Sequence, residues 1–499
     1  VPALRRAMIW ILFFEIVIGA LSGGITLRRA TWDWTQEIRR SDDLQNGWGW
    51  GQRALRYGFF HLYDHVIAHC PDGDYTLDYT PLRLAVMTAW ARWTNQHENG
   101  AAGWRDDYAF TAPLLYFNTV MALLAAIGIF MIVRLWTVRA ANAAGVADSP
   151  YWFARPLTAA ILFWINPALL LDAHAWPQWD IWPMPFFLFA LLAACTDRWL
   201  LTGALLAIGV MLKGQLILVA PLFIFWPLFL RRWCAAADVL LTFATTIALI
   251  TAPGTIGHGA IFVAAAVATA WFLTRGKTVA AAISPSLRVR IIIATGVAAL
   301  FLCPPLFEGS YAWFKVGFTY GAAKFPDMVL GAENLAAILQ RNFGLHCDDI
   351  AFAVPALHIA ITVKQLLSTA YFVTLILAAR AAAHHSAGND PRFLVAAVMP
   401  WLCFFALLTQ MHERYLVWAA CLSALWLAAG PAVAALHLLI TTASVLILIQ
   451  HMTATHPTAL PTLTNLTRIT SPALAWTVLI AAALVTLASL TKSRTSGAT

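Results

Sequence analysis

Apolar residues in this chain do not alternate with polar ones. They run on in blocks, with charge confined to the joints between blocks. A helix rising 1.5 Å per residue needs about 20 apolar residues to cross the hydrocarbon of a bilayer. On that basis the pattern predicts spans at 7–27, 111–135, 156–173, 180–196, 199–213, 214–230, 236–253, 257–274, 291–307, 360–381, 392–410, 415–430, 431–450 and 472–490, about fourteen in all. The runs are short or fused around 197–214 and 350–365. Continuous rather than period-two hydrophobicity excludes a β-barrel. Two long polar intervals stand out, 28–110 and 308–355. Within the first, 48–69 and 82–93 have amphipathic helical spacing and predict helices lying in the membrane interface. With no internal repeat, no low-complexity linker and no soluble domain, residues 1–499 read as one all-α polytopic domain.

Composition sharpens this. Hydrophobic residues make up 61% and charged residues 11%, against about 25% charged in soluble domains, and the mean hydropathy is +0.71. The net charge of +8 is mostly arginine at span ends, so it reports topology and not nucleic-acid binding. The basic joints alternate sides if both termini are cytoplasmic. That orientation places 28–110, 174–179, the Lys213 turn, 254–256, 308–355, the 411–415 turn and 451–471 on the outer face. Arg28, Arg29, Arg39 and Arg40 then lie outside, where they can meet anionic headgroups or an anionic substrate. The first run follows Arg5 and Arg6, is long and lacks a small-residue cleavage site, so it reads as a retained span. The seven cysteines show no CxxC or metal spacing. Cys70 and Cys347 are the two in outer loops, where an oxidising compartment would allow pairing. Asn465-Leu466-Thr467 matches a glycosylation sequon by pattern alone.

The candidate chemistry lies in the polar outliers at these outer joints, where ionisable residues are costly and default to function. Asp42 and Asp43 precede a Trp-rich helical segment; either is a candidate base, or a cap for the helix that follows. Asp78-Tyr79-Thr80-Pro81 offers a carboxylate and a phenol, or an Asx-type turn opening a helix. Asp172, His174, Trp176, Gln178, Trp179 and Asp180 form a predicted tight outer turn, with His174 a ligand or a satisfied turn histidine. Lys213 is a cation for an anion, or a snorkelling side chain. His412, Glu413 and Arg414 form a reactive turn or an internally paired one.

These residues, in this order, resemble the GT-C integral-membrane glycosyltransferases, which use polyprenyl-phosphate sugars as donors. The nearest likeness is to the glucosyltransferases of lipid-linked oligosaccharide assembly and their bacterial relatives. Asp43 ahead of Trp50 resembles the family's first-loop aspartate. Leu77-Asp78-Tyr79-Thr80-Pro81-Leu82-Arg83 resembles Leu-Asp-Tyr-Pro-Pro-Leu-Thr, with Thr80 in place of the first proline. Asn166-Pro167 and Trp176-Pro177-Gln178-Trp179-Asp180 resemble Asn-Pro and His-Phe-Gln-Tyr-Asn. Leu212-Lys213-Gly214-Gln215 resembles a Lys-Gln stretch with one glycine inserted. Phe325-Pro326-Asp327 and Glu333-Asn334-Leu335 echo a later motif, and His412-Glu413-Arg414-Tyr415 matches the bacterial His-Glu-Arg-Tyr.

The resemblance implies an inverting transfer of a monosaccharide to a lipid-linked or cell-envelope acceptor on the periplasmic or lumenal face. In that reaction Asp43, with Asp42 in reserve, takes the acceptor's proton. Arg414, His412 and Lys213 meet the donor phosphate. Glu413, Trp176, Gln178, Trp179, Asp180, His174, Asp78 and Tyr79 line the sugar and acceptor sites. The implied partners are membrane lipids, the polyprenyl-phosphate sugar donor and a glycan or glycolipid acceptor, with no nucleic acid. No cofactor is implied, and metal independence follows by analogy; Asp172 with Asp180 is the nearest approach to a divalent-ion pair. Usage rich in alanine and arginine favours a bacterial inner membrane over the endoplasmic reticulum. A ligase or polymerase of lipid-linked glycans is the main alternative. A flippase ranks below it, because the ionisable residues gather on one face and no repeat is evident.

Overall fold

The long helices turn apolar side chains outward. In α1 (Pro2–Trp34), Met8, Ile11, Phe14 and Ile18 are all more than half exposed, which costs nothing only where hydrocarbon replaces water. The computed structural model describes residues 2–69, 77–146, 149–251, 256–275, 284–302, 312–320, 327–354, 359–454, 456 and 458–491. Seven helices among them are long and apolar enough to cross a membrane: Ala3–Trp34, Tyr108–Ala143, Ala154–Ala175, Trp233–Thr251, Val363–Ala387, Pro431–Ala454 and Pro461–Leu490. Shorter apolar helices occupy Pro183–Cys195, Trp199–Leu212, Gly214–Phe229 and Phe393–Leu407. The architecture is that of an all-α polytopic membrane protein.

The chain divides into two compact units. Unit 1 comprises Val1–Ser41, Leu115–Leu188 and Phe325–Thr499; unit 2 comprises Asp42–Leu114 and Phe189–Lys324.

In unit 2 the first polar interval folds as α2 (Asp42–Tyr57), α3 (His61–His69) and α4 (Pro81–His97). The segment predicted as one helix, 48–69, is broken at Gly58, whose φ of +91° a helix cannot hold. α2 packs closely on α4. At Gly51 a Cβ would come within 2.8 Å of the Ala91 Cβ. Trp48 Nε1 donates to Thr94 Oγ1 at 2.9 Å, and the Gln52 and Asn95 amides exchange hydrogen bonds.

Unit 1 is centred on the helix Phe393–Leu407, apolar all round and buried along nearly its whole length. A helix with no polar face belongs in a core. Aromatic rings pack on it: Phe187 edge-on to Trp401 at 5.3 Å, Trp401 edge-on to Trp418 at 5.2 Å, and Trp136 stacked on Phe393 at 4.5 Å.

Three element boundaries differ from expectation. α1 runs on to Trp34, so Arg28 lies inside the first helix and not in a loop. Its guanidinium donates to the Gly24 and Trp164 carbonyls and sits 3.5 Å from the Trp164 ring centroid. The expected span at 360–381 starts at Val363, because Ile359–Thr362 pairs antiparallel with Ile350–Val354 as a hairpin. Thr362 then opens the helix with a full capping box to Gln365. The expected span at 415–430 is a short α-helix, Leu416–Leu422, followed by a 3₁₀ segment. Cys347 is a buried free thiol beside the Asp327 carbonyl; Cys70, Phe325 and Pro326 lie outside the described residues.

Candidate functional site

The segment 171–182 is the centre of the site in unit 1, and it is not a surface turn. After Asn166 caps the turn Pro167–Leu170, the chain makes one π-helical turn, Leu171–Ala175, and then runs irregularly. Such turns recur at functional sites because they free backbone groups and re-aim side chains. Asn118 holds the irregular stretch: its amide donates to the Ala173 and Gln178 carbonyls at 2.9 and 2.8 Å and accepts from Trp182 Nε1 at 2.6 Å. Every residue from Ala168 to Trp182 is buried. The stretch can be buried because Asn118 satisfies inside the protein what water would otherwise satisfy.

Trp176 is the hub. The His451 imidazole stacks on its ring at 5.0 Å and 9°. Two guanidiniums lie near the same ring, Arg40 at 5.1 Å and Arg414 at 5.3 Å from its centroid. Arg414 also reaches two carboxylates, with Nη1 3.2 Å from Glu413 Oε1 and Nε 3.4 Å from Asp180 Oδ2. Asp180, Glu413 and Arg414 are all nearly or fully buried. The Asp180 carbonyl accepts from Trp418 Nε1 at 2.7 Å, which ties the group to the aromatic core.

Arg40 Nη1 donates to His451 Nε2. The other ring nitrogen, Nδ1, lies 3.7 Å from Glu413 Oε2. His412 Nδ1 is 3.9 Å from the same oxygen. The His412 backbone bridges to Leu330 and Gly331. Gly331 has φ +83°, and a Cβ there would lie 2.8 Å from Glu413 Oε2 and 3.1 Å from His451 Nδ1. Only glycine lets that loop come so close.

The structure therefore gathers Trp176, Asp180, His412, Glu413 and Arg414 from the expected set, and adds Arg40, Gly331 and His451. His451 was legible as a polar residue at the end of an apolar run, next to Gln450. Other expected residues turn elsewhere. His174 is buried with Nε2 3.1 Å from Thr119 Oγ1, and its Nδ1 is buried with no hydrogen-bond partner among the described residues. Trp179 sits in the buried layer by Trp182, with 6.2 Å between ring centroids. Gln178 contributes its backbone to the Asn118 clasp. Trp176 and Trp179 are both buried, and the His451 imidazole lies on the Trp176 face.

Unit 2 holds the rest. Asp42 and Asp43 open α2, which suits carboxylates because the first turn exposes helix N–H groups; Asp42 is exposed and Asp43 half-buried. Asp78 does not cap α4; Thr80 occupies that position, yet its hydroxyl makes no cap bond and donates to the Met211 carbonyl at 2.6 Å. That bond ties the Asp78–Pro81 motif to the end of the helix Trp199–Leu212, where Lys213 is fully buried. Gly317 backs the junction, and a Cβ there would lie 3.1 Å from Thr80 Cγ2. The Tyr79 ring lies against the buried Arg83 guanidinium, 3.1 Å from centroid to Cζ. Tyr63 donates to the Tyr79 carbonyl at 2.9 Å. Burial holds the Tyr63 phenol well above its ordinary range, against the opposing charge of Arg83.

Among the described residues no group of three or more His, Cys, Asp or Glu side chains could hold a metal ion. Searches for relatives find no family model and no curated protein that matches the chain.

Proposed function

We propose that this protein is an integral-membrane glycosyltransferase of the GT-C kind, moving one sugar from a polyprenyl phosphate to an acceptor hydroxyl. The observation that carries the reading is the group around Trp176: two guanidiniums, two carboxylates and two imidazoles drawn together in an apolar protein. Charge in such surroundings costs several kcal/mol per ion, and a scaffold or receptor has no use for it. A phosphate does have a use for it. Arginine forks hold its oxygens, and imidazoles take up a proton as negative charge arrives.

In this reading the acceptor oxygen attacks the anomeric carbon as its proton passes to a carboxylate, a role that the resemblance alone gives to Asp43. The bond from that carbon to the phosphate oxygen breaks, and its electron pair leaves with the polyprenyl phosphate. Attack from the face opposite the phosphate inverts the anomeric centre. Arg414 and Arg40 meet the charge that develops on the leaving phosphate. Asp180 and Glu413 hold Arg414 in place, and His451 and His412 stand beside Glu413. Lys213 is a further phosphate cation by resemblance. The reading also takes the remaining apolar segments as spans, about fourteen in all, with the site on the periplasmic or lumenal face.

The test is transfer by purified protein in detergent from radiolabelled polyprenyl-phosphate glucose, mannose and arabinose, with a membrane lipid extract as acceptor. Label moving from one donor, lost in Asp43→Asn and indifferent to chelator, is the expected result. Undiminished transfer by a folded Asp43→Asn removes that residue from the base's role.

A further inference from the structure

Beside the Trp176 group, unit 1 holds a cavity of about 380 Å³ that the mechanism above leaves unused. Its walls come from the loop before α-helix Leu335–Phe343, from that helix, and from the last turns of Pro431–Ala454. Gly331 and His451 line it, so it shares a wall with Glu413. We propose that this cavity binds an uncharged sugar unit; on the transferase reading, it takes a sugar of the acceptor glycan.

The charges in the lining are already matched. Glu333 is buried, and both its oxygens accept from Arg341 Nη2, at 3.1 and 2.8 Å; Ser471 Oγ donates to it as well. A carboxylate and a guanidinium spent on each other give little net attraction to an anion or a cation, and they still offer hydrogen bonds at their edges. Gln340 and Gln450 add neutral donors and acceptors, and His451 adds an imidazole. Gln450 Oε1 is buried with no hydrogen-bond partner among the described residues. A buried acceptor left unmade costs about 1–3 kcal/mol, and a ligand hydroxyl would satisfy it. Val329 and Ile447 supply the apolar surface that sugar C–H groups need. The volume lies at the small end of the usual range for small-molecule sites, about 300–1,000 Å³. Many hydroxyls, apolar C–H faces and no net charge describe a sugar ring.

The experiment is binding without turnover. Saturation-transfer NMR on the purified full chain in detergent uses methyl glycosides of glucose, mannose, galactose and arabinose as probes. The expected result is saturable binding of at least one glycoside, weakened about tenfold or more by Gln450→Leu and by the cavity-filling Ala337→Phe. Two folded variants acting through different chemistry guard against a folding artefact. Saturation transfer to none of the glycosides, equal binding in both cavity variants, or displacement of sugar by millimolar inorganic phosphate would overturn the proposal. Loss of transfer in Gln450→Leu together with lost binding marks an acceptor site; binding lost with transfer intact, or binding by a protein that transfers nothing, separates this cavity from the transferase reading.

Discussion

Replacing Arg414 separates an ion network that only holds the fold from one that also works on a substrate. In Arg414→Gln, Asp180 and Glu413 keep their burial and lose the cation that touches both. Breaking a buried pair by removing one partner costs about 3–5 kcal/mol, so the variant should melt well below wild type in detergent. Arg414→Lys keeps the charge, yet one ammonium cannot reproduce contacts now made by two different guanidinium nitrogens; an intermediate loss is expected. The informative variant is the double, Arg414→Gln with Glu413→Gln. It removes one stranded carboxylate with the cation, and part of the lost stability should return, about 1 kcal/mol or more. Transfer should not return. A preorganised donor at a developing charge contributes about 10²–10³ in rate, and neither amide supplies it. Thermal unfolding followed alongside steady-state transfer gives both numbers on the same preparation. Activity that recovers in step with stability in the double variant would refute a phosphate role for Arg414 and leave it a structural ion pair.

Further predictions follow from single contacts. Gly331→Ala forces a non-glycine φ of +83° and presses on Glu413 Oε2; a destabilisation of about 1–3 kcal/mol is expected, with transfer falling more than stability, read by melting and kinetics together. Thr80→Val strands the Met211 carbonyl, at about 1–3 kcal/mol, and should loosen the Lys213 turn, measurable as faster amide exchange at residues 211–214. Asp390 is raised by burial, but hydrogen bonds from His385 and Arg392 outweigh that and hold it well below the usual carboxylate range. Its folded form therefore prefers the ionised state, so the stability it adds is present above about pH 4 and lost as pH falls below it. Wild type should lose melting temperature between pH 6 and pH 3 more steeply than Asp390→Asn; parallel curves would contradict this.

The helical plan was legible because lipid imposes it. Long apolar runs became helices near their expected places, and the first polar interval became α2, α3 and α4. Tertiary contacts decided what the run pattern could not. Arg28 was pulled into the helix by the Trp164 carbonyl and ring, where hydropathy alone had ended the span at residue 27. The paired strands Ile350–Val354 and Ile359–Thr362 are too short to show a period-two signal. The site was legible as a set of polar outliers, and four of them, Asp180, His412, Glu413 and Arg414, do meet around Trp176. Which outlier serves the fold was not legible. His174 and Trp176 are two residues apart in one motif, yet the π-turn sends one to Thr119 and the other to two arginines. Nor could spacing bring Arg40 and His451 together, since 411 residues separate them.

The central claim is that a bond to a polyprenyl phosphate breaks on this protein. The most direct measurement is the stoichiometry of purified protein given a doubly labelled polyprenyl-phosphate sugar, with one label in the sugar and one in the phosphate. The account predicts sugar label on the acceptor and an equal amount of free polyprenyl phosphate, both abolished in Arg414→Gln. Donor crossing a vesicle bilayer with both labels still joined, or transfer that requires a nucleotide sugar in place of the lipid, would contradict it.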